Sequence, residues 1–214
     1  MKYALINADE SRQATADAIW IALNSFGDQQ VHSKVVDGRS DASLELAQIS
    51  SPYRVVDDPG STFPLRGHLG VWYSVMNALD YAPLLVIEDD ALLKDDFDRE
   101  LNKALYNLPA DADFLALFTP DARHHLFNRD MHEYSPGDLV RVWQPNGGVA
   151  IYWTARGAES FRALVEKDGM RAQWDNQLMQ YAWDGRMKGY TFRPFEGIVG
   201  HAFGSSIVQN TEPA

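Results

Sequence analysis

The sequence contains no cysteine among its 214 residues. This absence excludes disulfide bonds, zinc sites built from thiolates, and catalysis by a cysteine nucleophile. It does not identify the redox compartment, because proteins without thiols occur in reducing and oxidising environments alike. Metal binding or acid–base chemistry must therefore use carboxylate, imidazole, hydroxyl or amine groups.

Long apolar runs are also missing. The N-terminal stretch Met1–Asn7 has only a short apolar segment, and no later stretch approaches the roughly 20 apolar residues that a membrane-spanning helix needs. We therefore expect a cytoplasmic protein with no integral membrane segment.

Runs of lysine or arginine are absent, and acidic residues outnumber basic ones by 30 to 19. The resulting formal net charge of −11 repels polyanions at long range, which makes nucleic acid an unlikely partner. The remaining composition, 45% hydrophobic and 23% charged, is ordinary for a folded enzyme and supplies enough apolar material for a core. The length suits a single domain over residues 1–214.

Short apolar runs alternate along the chain with stretches in which apolar residues recur at helical spacing. The predicted strands are Tyr3–Ile6, Val31–Val36, Leu84–Ile87, Asp113–Phe118, Leu139–Trp143 and Val149–Trp153. The predicted helices run from about Ala14 to Phe26, across His68–Leu79, and over Asp95–Tyr106, Thr154–Glu166 and Ala172–Trp183. This alternation indicates an α/β fold, with Gly27 and Thr154 as helix caps and Leu84–Ile87 as a strand buried on both faces.

Three consecutive acids, Glu88, Asp89 and Asp90, follow the predicted central strand directly. Like charges at this spacing repel and are costly to desolvate, and a divalent cation such as Mg²⁺ or Mn²⁺ offsets both costs. The edge of an α/β sheet at the carboxyl ends of its strands is also where nucleotides commonly bind. A solvated turn whose acids cap a following helix explains the triplet equally well.

Several segments of the chain, taken in order, resemble one enzyme family. They are Leu5–Asn7 with Arg12, Gly67–Trp72, Leu84–Leu93, Asn146–Ala158, Asp175–Leu178, and Pro194–Ile207 with its Ser205-Ser206-Ile207. Together they resemble glycosyltransferase family 25, which includes lipooligosaccharide sugar transferases and collagen galactosyltransferases. Gly67 stands where the family usually has serine, and the segment Asp121–Pro136 has no counterpart.

The resemblance implies a GT-A fold, a Rossmann-like mixed sheet flanked by helices, with a donor-binding part over roughly residues 1–120 and an acceptor side over 121–214. It implies an inverting, metal-dependent glycosyltransferase using Mn²⁺ or Mg²⁺. The expected partners are a nucleotide-diphosphate sugar, foremost a UDP-sugar, and the hydroxyl of a saccharide acceptor in a glycan or glycolipid, as in lipopolysaccharide biosynthesis.

Within the triplet, we expect Asp90 to bind the metal. Glu88, two residues away and on the same side of an extended strand end, would assist by contacting the metal or the sugar, while Asp89 points elsewhere and contacts the donor sugar or ribose. His201 is a further candidate for the metal or the diphosphate, with a purely structural role as the alternative.

The resemblance also implies that Asn7 and Arg12 bind the donor, although a solvated arginine is the alternative for Arg12. Asp175 is the candidate general base, and Glu196 is held in reserve. The alternative for Asp175 is that it caps the following helix. His68 is expected to be a core or supporting histidine, and none of the six tryptophans is selected as a sugar platform.

Three other functions remain compatible with the sequence. Clustered acids also form the metal sites of nucleases and phosphohydrolases. The chain could instead be a sugar-nucleotide-binding module without turnover, or a transferase that acts on modified DNA bases, although the net charge disfavours the last.

Overall fold

The computed structural model describes residues 1–7, 10–56, 63, 66–118, 134–135, 139–142, 147–192 and 197–202. These residues form an eight-stranded mixed sheet with helices on both faces and a separate two-stranded ribbon. The predicted α/β class, with a mixed sheet flanked by helices, is confirmed.

The strands are β1 (Lys2–Ile6), β2 (Gln29–Gln30), β3 (Leu84–Glu88), β4 (Ala91–Leu93), β5 (Phe114–Ala116), β6 (Tyr134–Ser135), β7 (Leu139–Val142), β8 (Ala150–Trp153), β9 (Gly189–Phe192) and β10 (Val199–His201). The helices are α1 (Gln13–Ser25), α2 (Asp41–Ser50), α3 (Arg66–Ala78), α4 (Phe97–Asn107), α5 (Ala155–Asp168) and α6 (Trp174–Trp183). Two short 3-10 helices cover Glu10–Arg12 and Leu79–Tyr81.

The strand order in the main sheet is β2-β1-β3-β8-β5-β9-β7-β6. β1 and β3 are parallel, whereas β8 runs antiparallel to both of its neighbours, β3 and β5. The carboxyl ends of β1 and β3 therefore share one edge of the sheet with the amino end of β8. β8, from the part after residue 120, lies between β3 and β5 from the part before it, so the two parts contribute to one sheet.

The central strand β3 shows how the sheet separates two apolar layers. Leu84 and Val86 face the layer formed by α2, α3, α5 and α6, whereas Leu85 and Ile87 face the layer of α1 and α4. All four side chains are fully buried, which confirms a strand covered on both faces.

The predicted strand Val31–Val36 is wrong. Residues 31–36 have no regular secondary structure, and the strand of this region is the two-residue β2, which pairs with β1. The backbone N–H of Val36 donates to Ser74 Oγ at 2.8 Å, so a side chain of α3 takes the place of a neighbouring strand.

Helix α2 was not predicted, because only Ala47 on it is buried and its sequence carries little apolar periodicity. Strands β4, β6, β9 and β10 were not predicted either. The predicted loop Asp57–Pro64 apart from Phe63, and the segment Asp121–Pro136 apart from residues 134–135, lie outside the described residues.

Thr154 joins β8 to α5 and caps that helix, as predicted. Its Oγ1 accepts a hydrogen bond from the backbone N–H of Gly157 at 3.0 Å and donates toward the carbonyl oxygens of Ala112 and Asp113. A Cβ added at Gly157 would meet the Asp113 carbonyl oxygen at 1.8 Å, so α5 begins in close contact with the chain entering β5. This contact fixes α5 against the sheet.

We expect Thr154→Ala to lower the free energy of unfolding by about 1–2 kcal/mol, because it removes the cap of α5. Thr154→Ser keeps the hydroxyl and should remain close to the wild type. Urea denaturation followed by circular dichroism measures both. An unchanged midpoint for Thr154→Ala would mean that the cap contributes nothing to stability.

Candidate functional site

The acidic triplet spans the end of β3 and the turn that follows it. The backbone N–H of Asp89 donates to the carbonyl oxygen of Ile6, and that of Glu88 donates to the carbonyl oxygen of Val149. Both bonds continue the sheet beyond its regular strands, toward β1 on one side and β8 on the other. Asp89 and Asp90 are only 3% and 5% exposed, so the triplet is not the solvated turn that the sequence also allowed.

Arg12 provides the nearest positive charge. It ends the 3-10 turn after β1, at the start of α1, and its Nη1 donates to Asp89 Oδ1 at 2.9 Å and to Asp90 Oδ2 at 3.1 Å. The arginine side chain is 11% exposed, so the interaction is shielded from solvent and is strong. The alternative of a solvated arginine is therefore wrong.

His201 reaches the same carboxylate from the other end of the chain. β10 pairs with β4 in an antiparallel ribbon that sets His201 opposite Ala91, and the N–H of Ala202 donates to the Asp90 carbonyl oxygen. His201 Nε2 consequently lies 3.0 Å from Asp90 Oδ2. Two residues 111 positions apart in the sequence are thus brought into contact by the ribbon.

Arg12 and Asp90 each carry a buried polar atom that has no hydrogen-bond partner among the described residues. The atoms are Arg12 Nη2, a donor, and Asp90 Oδ1, an acceptor. Buried polar groups are nearly always paired, and leaving one unpaired costs about 1–3 kcal/mol. A bound ligand that accepts from Arg12 and brings a cation to Asp90 would satisfy both atoms.

Glu88 turns toward a different partner. Its Oε1 accepts a hydrogen bond from Trp174 Nε1 at 3.3 Å. Burial, followed by the like charges of Asp90 and Asp175, raises the pKa of Glu88 to about 8, against the opposing effect of the Trp174 hydrogen bond. Glu88 is therefore largely protonated at neutral pH in the free protein.

Asp175 lies in the first turn of α6, immediately after Trp174. Burial raises its pKa, and hydrogen bonds from the backbone N–H groups of Asn176, Gly147 and Gly148 oppose the rise. A buried carboxyl group with a raised pKa suits proton transfer. Gln173 rather than Asp175 occupies the N-cap position, while Asp175 Oδ1 accepts from the backbone N–H of Asn176 within the first turn at 2.8 Å.

Gly148 leaves space for the ring of Trp174, which contacts Glu88 and directly precedes Asp175. A Cβ at this position would lie 2.0 Å from a carbon of the Trp174 ring. Gly148 lies two residues before β8, whose amino end lies beside the carboxyl end of β3. The glycine thus allows the indole to reach Glu88 across the edge of the sheet.

The structure brings together the expected residues Arg12, Glu88, Asp89, Asp90 and His201, with Asp175 near Glu88. Asn7 follows β1 at the same edge, where its Nδ2 donates to Gln13 Oε1 at 2.9 Å. The candidate Glu196 lies outside the described residues, as do Asn146 and the segment Ser205–Ile207.

The expected alternation within the triplet is wrong. Asp89 does not point away from Asp90, because both carboxylates accept from the same nitrogen of Arg12. The strand geometry behind that expectation ends at Glu88, and the two aspartates belong to a turn. Asp89 and Asp90 therefore both bind the Arg12 guanidinium, whereas Glu88 faces the Trp174 indole.

His68 is buried, as expected of a core or supporting histidine. Its Nε2 lies 2.7 Å from Gln173 Nε2, at the start of α6, and burial lowers its pKa, so that the ring stays neutral. Among the described tryptophans, Trp72, Trp153 and Trp174 are buried, while Trp20 and Trp183 are each 47% exposed. The sequence analysis did not select Trp174, although its position directly before the candidate base Asp175 could have indicated that it lies at the site.

Within the described residues, no group of three or more histidine, aspartate or glutamate side chains is arranged to hold a metal ion. Asp90 and His201 nevertheless offer one oxygen and one nitrogen of the types that Mn²⁺ binds, and a nucleotide diphosphate commonly supplies further ligands. None of the helices in the described part of the chain is long and apolar enough to cross a membrane.

The sequence matches no protein-family model and no curated protein.

We expect Glu88→Gln to become more stable than the wild type as pH rises. Below about pH 4.5, Glu88 is protonated in both the folded and unfolded states, so the two proteins should have similar stability. Between this pH and about 8, only the unfolded wild type ionises, which favours unfolding. The difference in Tm should therefore grow up to about pH 8 and then level off.

Thermal unfolding of both proteins in chelator-treated buffer at a series of pH values measures this difference. Glu45→Gln, at an exposed position on α2, is the matched control and should show no such growth. A pH-independent difference for Glu88→Gln would mean that Glu88 is ionised throughout.

Proposed function

We propose that this protein is an inverting, metal-dependent glycosyltransferase of GT-A-like fold that transfers a sugar from a nucleotide diphosphate to a saccharide hydroxyl. The observation that carries the proposal is the pair of unmatched buried atoms at the end of β3, Arg12 Nη2 and Asp90 Oδ1. The arginine nitrogen can donate to an anion, and the carboxylate oxygen can bind a cation. A metal–diphosphate complex supplies both at adjacent points.

The donor would bind along the carboxyl edge of β1 and β3. Arg12 would direct Nη2 to a phosphate oxygen, and Asn7 would line the entry after β1. Asp90 and His201 are the residues that would hold the metal, since Asp90 Oδ2 and His201 Nε2 lie 3.0 Å apart. When bound, the metal neutralises negative charge on the diphosphate leaving group. Asp89 remains paired with Arg12 and sets its orientation.

Asp175 would act on the acceptor side of the same edge. The acceptor oxygen forms a bond to the anomeric carbon while the bond from that carbon to the diphosphate oxygen breaks, and the diphosphate leaves with the electron pair. The hydroxyl proton passes to Asp175, whose raised pKa favours accepting it. Protonated Glu88, held by Trp174, is available to donate a hydrogen bond to the donor sugar.

Incubation with UDP-glucose, UDP-galactose and UDP-N-acetylglucosamine in the presence of Mn²⁺ distinguishes this function from its rivals. Release of UDP, with or without transfer to an added saccharide, supports the transferase. Release of UMP or inorganic phosphate would favour a phosphohydrolase. Saturable binding without any product would favour a binding module, and transfer only to DNA would favour a base-modifying enzyme.

We expect Asp90→Asn to remain folded but to lose metal-dependent donor binding. The amide keeps the shape of the side chain, and Arg12 retains Asp89 as its partner, so the loss should be specific. UDP and Mn²⁺ together should raise the Tm of the wild type but not that of the variant. Asp95→Asn makes the same change at an exposed position nearby and should behave as the wild type. Unchanged stabilisation of Asp90→Asn would remove Asp90 from the metal site.

Asp175→Asn should bind donor normally but slow transfer or donor hydrolysis on the order of 10²–10⁴-fold, because the amide cannot accept the proton. Asp184→Asn, at the exposed opposite end of α6, is the matched control. Initial rates of UDP release, with the Kd for UDP measured in parallel, separate catalysis from binding. A wild-type rate for Asp175→Asn would leave Glu196 as the candidate base.

A further inference from the structure

Helix α6 begins at Trp174, and the chain entering it is held by two side chains of α3. Trp72 Nε1 donates to the carbonyl oxygen of Ala172 at 2.7 Å. One turn earlier on α3, His68 Nε2 lies 2.7 Å from Gln173 Nε2. Because residues four apart on a helix share one face, both contacts come from the same side of α3. Together they hold the two residues that precede Trp174.

The hydrogen bond between His68 and Gln173 has a defined direction. Burial lowers the pKa of His68, so its ring is neutral. An amide nitrogen only donates, so Gln173 Nε2 donates to His68 Nε2, and the ring proton lies on Nδ1. Gln173 Oε1 accepts from Asn176 Nδ2 at 3.2 Å, which agrees with this orientation of the amide. The Gln173 side chain thus links the ring of His68 to the first turn of α6.

Gln173 occupies the N-cap position of α6, but its side chain makes no capping hydrogen bond. Serine, threonine, aspartate and asparagine cap helices best, as Thr154 does at the start of α5. The Gln173 amide is used for His68 and Asn176 instead. The start of α6 is therefore held by the contact with α3 and not by a side-chain cap at Gln173.

Histidine is a costly choice for packing alone at position 68. Its ring is 4% exposed and stacks on Phe63, with 6.3 Å between the ring centroids. Its Nδ1 is buried and has no hydrogen-bond partner among the described residues. Phenylalanine would keep the stacking and avoid a buried unpaired donor. The bond to Gln173 is what distinguishes histidine from phenylalanine here.

The first turn of α6 brings two groups to the candidate functional site. Trp174 Nε1 donates to Glu88 Oε1 at 3.3 Å, and Asp175, the candidate base, follows directly. A shift of the helix start would move both groups, because they belong to one turn. Misplacing a reacting group by about 1 Å can lower a rate on the order of 100-fold.

We propose that His68 is a positioning residue that fixes the first turn of α6 through the side chain of Gln173. This bond holds the Trp174 indole beside Glu88 and keeps Asp175 in place. The effect on the rate of transfer rests on the proposed function, in which Asp175 is the base. The effect on the position of Trp174 does not rest on it, so the two are measured separately.

The first measurement is the indole N–H signal of Trp174 in ¹⁵N-labelled protein, identified by its loss in Trp174→Phe. His68→Phe should shift this signal, because the bond to Gln173 is lost while the stacking on Phe63 is kept. His68→Gln should restore it, since the new amide oxygen accepts from the same donor as His68 Nε2. His32→Phe makes the same change at an exposed position and should leave the signal unchanged.

A double-variant cycle shows whether His68 acts through Gln173. Gln173→Ala removes the other partner of the bond and should shift the Trp174 signal as His68→Phe does. The double variant should show no larger shift than the larger of the two single variants, because both changes break one bond. Gln173→Ala, at a half-buried position, also provides the test if His68→Phe does not fold.

The second measurement is the initial rate of UDP release from UDP-sugars with Mn²⁺. His68→Phe should lower this rate about 10- to 100-fold and leave the Kd of UDP unchanged, because the change lies on the acceptor side. His68→Gln should recover the rate. A protein that only lost stability would instead show a lower Tm with a wild-type rate below that Tm.

An unchanged Trp174 signal in His68→Phe and Gln173→Ala would overturn the proposal. Shifts that add in the double variant would also overturn it, because His68 would then act by packing. In an active protein, a wild-type rate for His68→Phe would have the same consequence. If the wild-type protein releases no UDP from any donor, the proposed function fails, and the Trp174 signal alone decides the positioning role.

Discussion

One nitrogen of Arg12 bonds to two buried carboxylates, Asp89 and Asp90, and the arrangement of the whole sheet edge depends on this interaction. Two adjacent buried carboxylates repel each other, and the guanidinium that bonds to both offsets this repulsion. The guanidinium ties the segment after β1 to the turn after β3. The ribbon of β4 and β10 brings His201 to the same carboxylate, so residues from both ends of the chain converge on Asp90.

The ion pairs of Arg12 leave one atom of Arg12 and one atom of Asp90 unpaired, and these two atoms bear on function. Arg12 keeps one buried donor and Asp90 one buried acceptor without a partner among the described residues. A purely structural ion pair would be expected to satisfy both. Next to it, burial raises the pKa values of Glu88 and Asp175, and the like charges of Asp90 and Asp175 raise that of Glu88 further. The edge therefore combines a place for a charged ligand with groups suited to exchange protons.

The sequence predicted the parts of this site that depend on local pattern. Leu84–Ile87 is a continuous apolar run, so its burial and the position of the acids after it followed directly. The contact of Arg12 with both aspartates was not predictable, because it depends on the parallel pairing of β1 with β3. Trp174 was missed for the same reason, since its bond to Glu88 crosses between α6 and the sheet. The β-branched residues of Val31–Val36 led to the incorrect prediction of a strand. The segment is irregular, and the backbone N–H of Val36 donates to Ser74 Oγ instead of to a neighbouring strand.

The most direct test of the central claim is the mutual dependence of Mn²⁺ and UDP binding, measured by calorimetry in both orders. A cation between the diphosphate and Asp90 requires that each ligand strengthen the other by the same factor. We predict that saturating Mn²⁺ lowers the Kd of UDP at least tenfold and that saturating UDP lowers the Kd of Mn²⁺ equally. UDP binding of unchanged affinity in the presence of chelator would contradict the claim, and would leave Arg12, Asp89 and Asp90 as a structural ion pair.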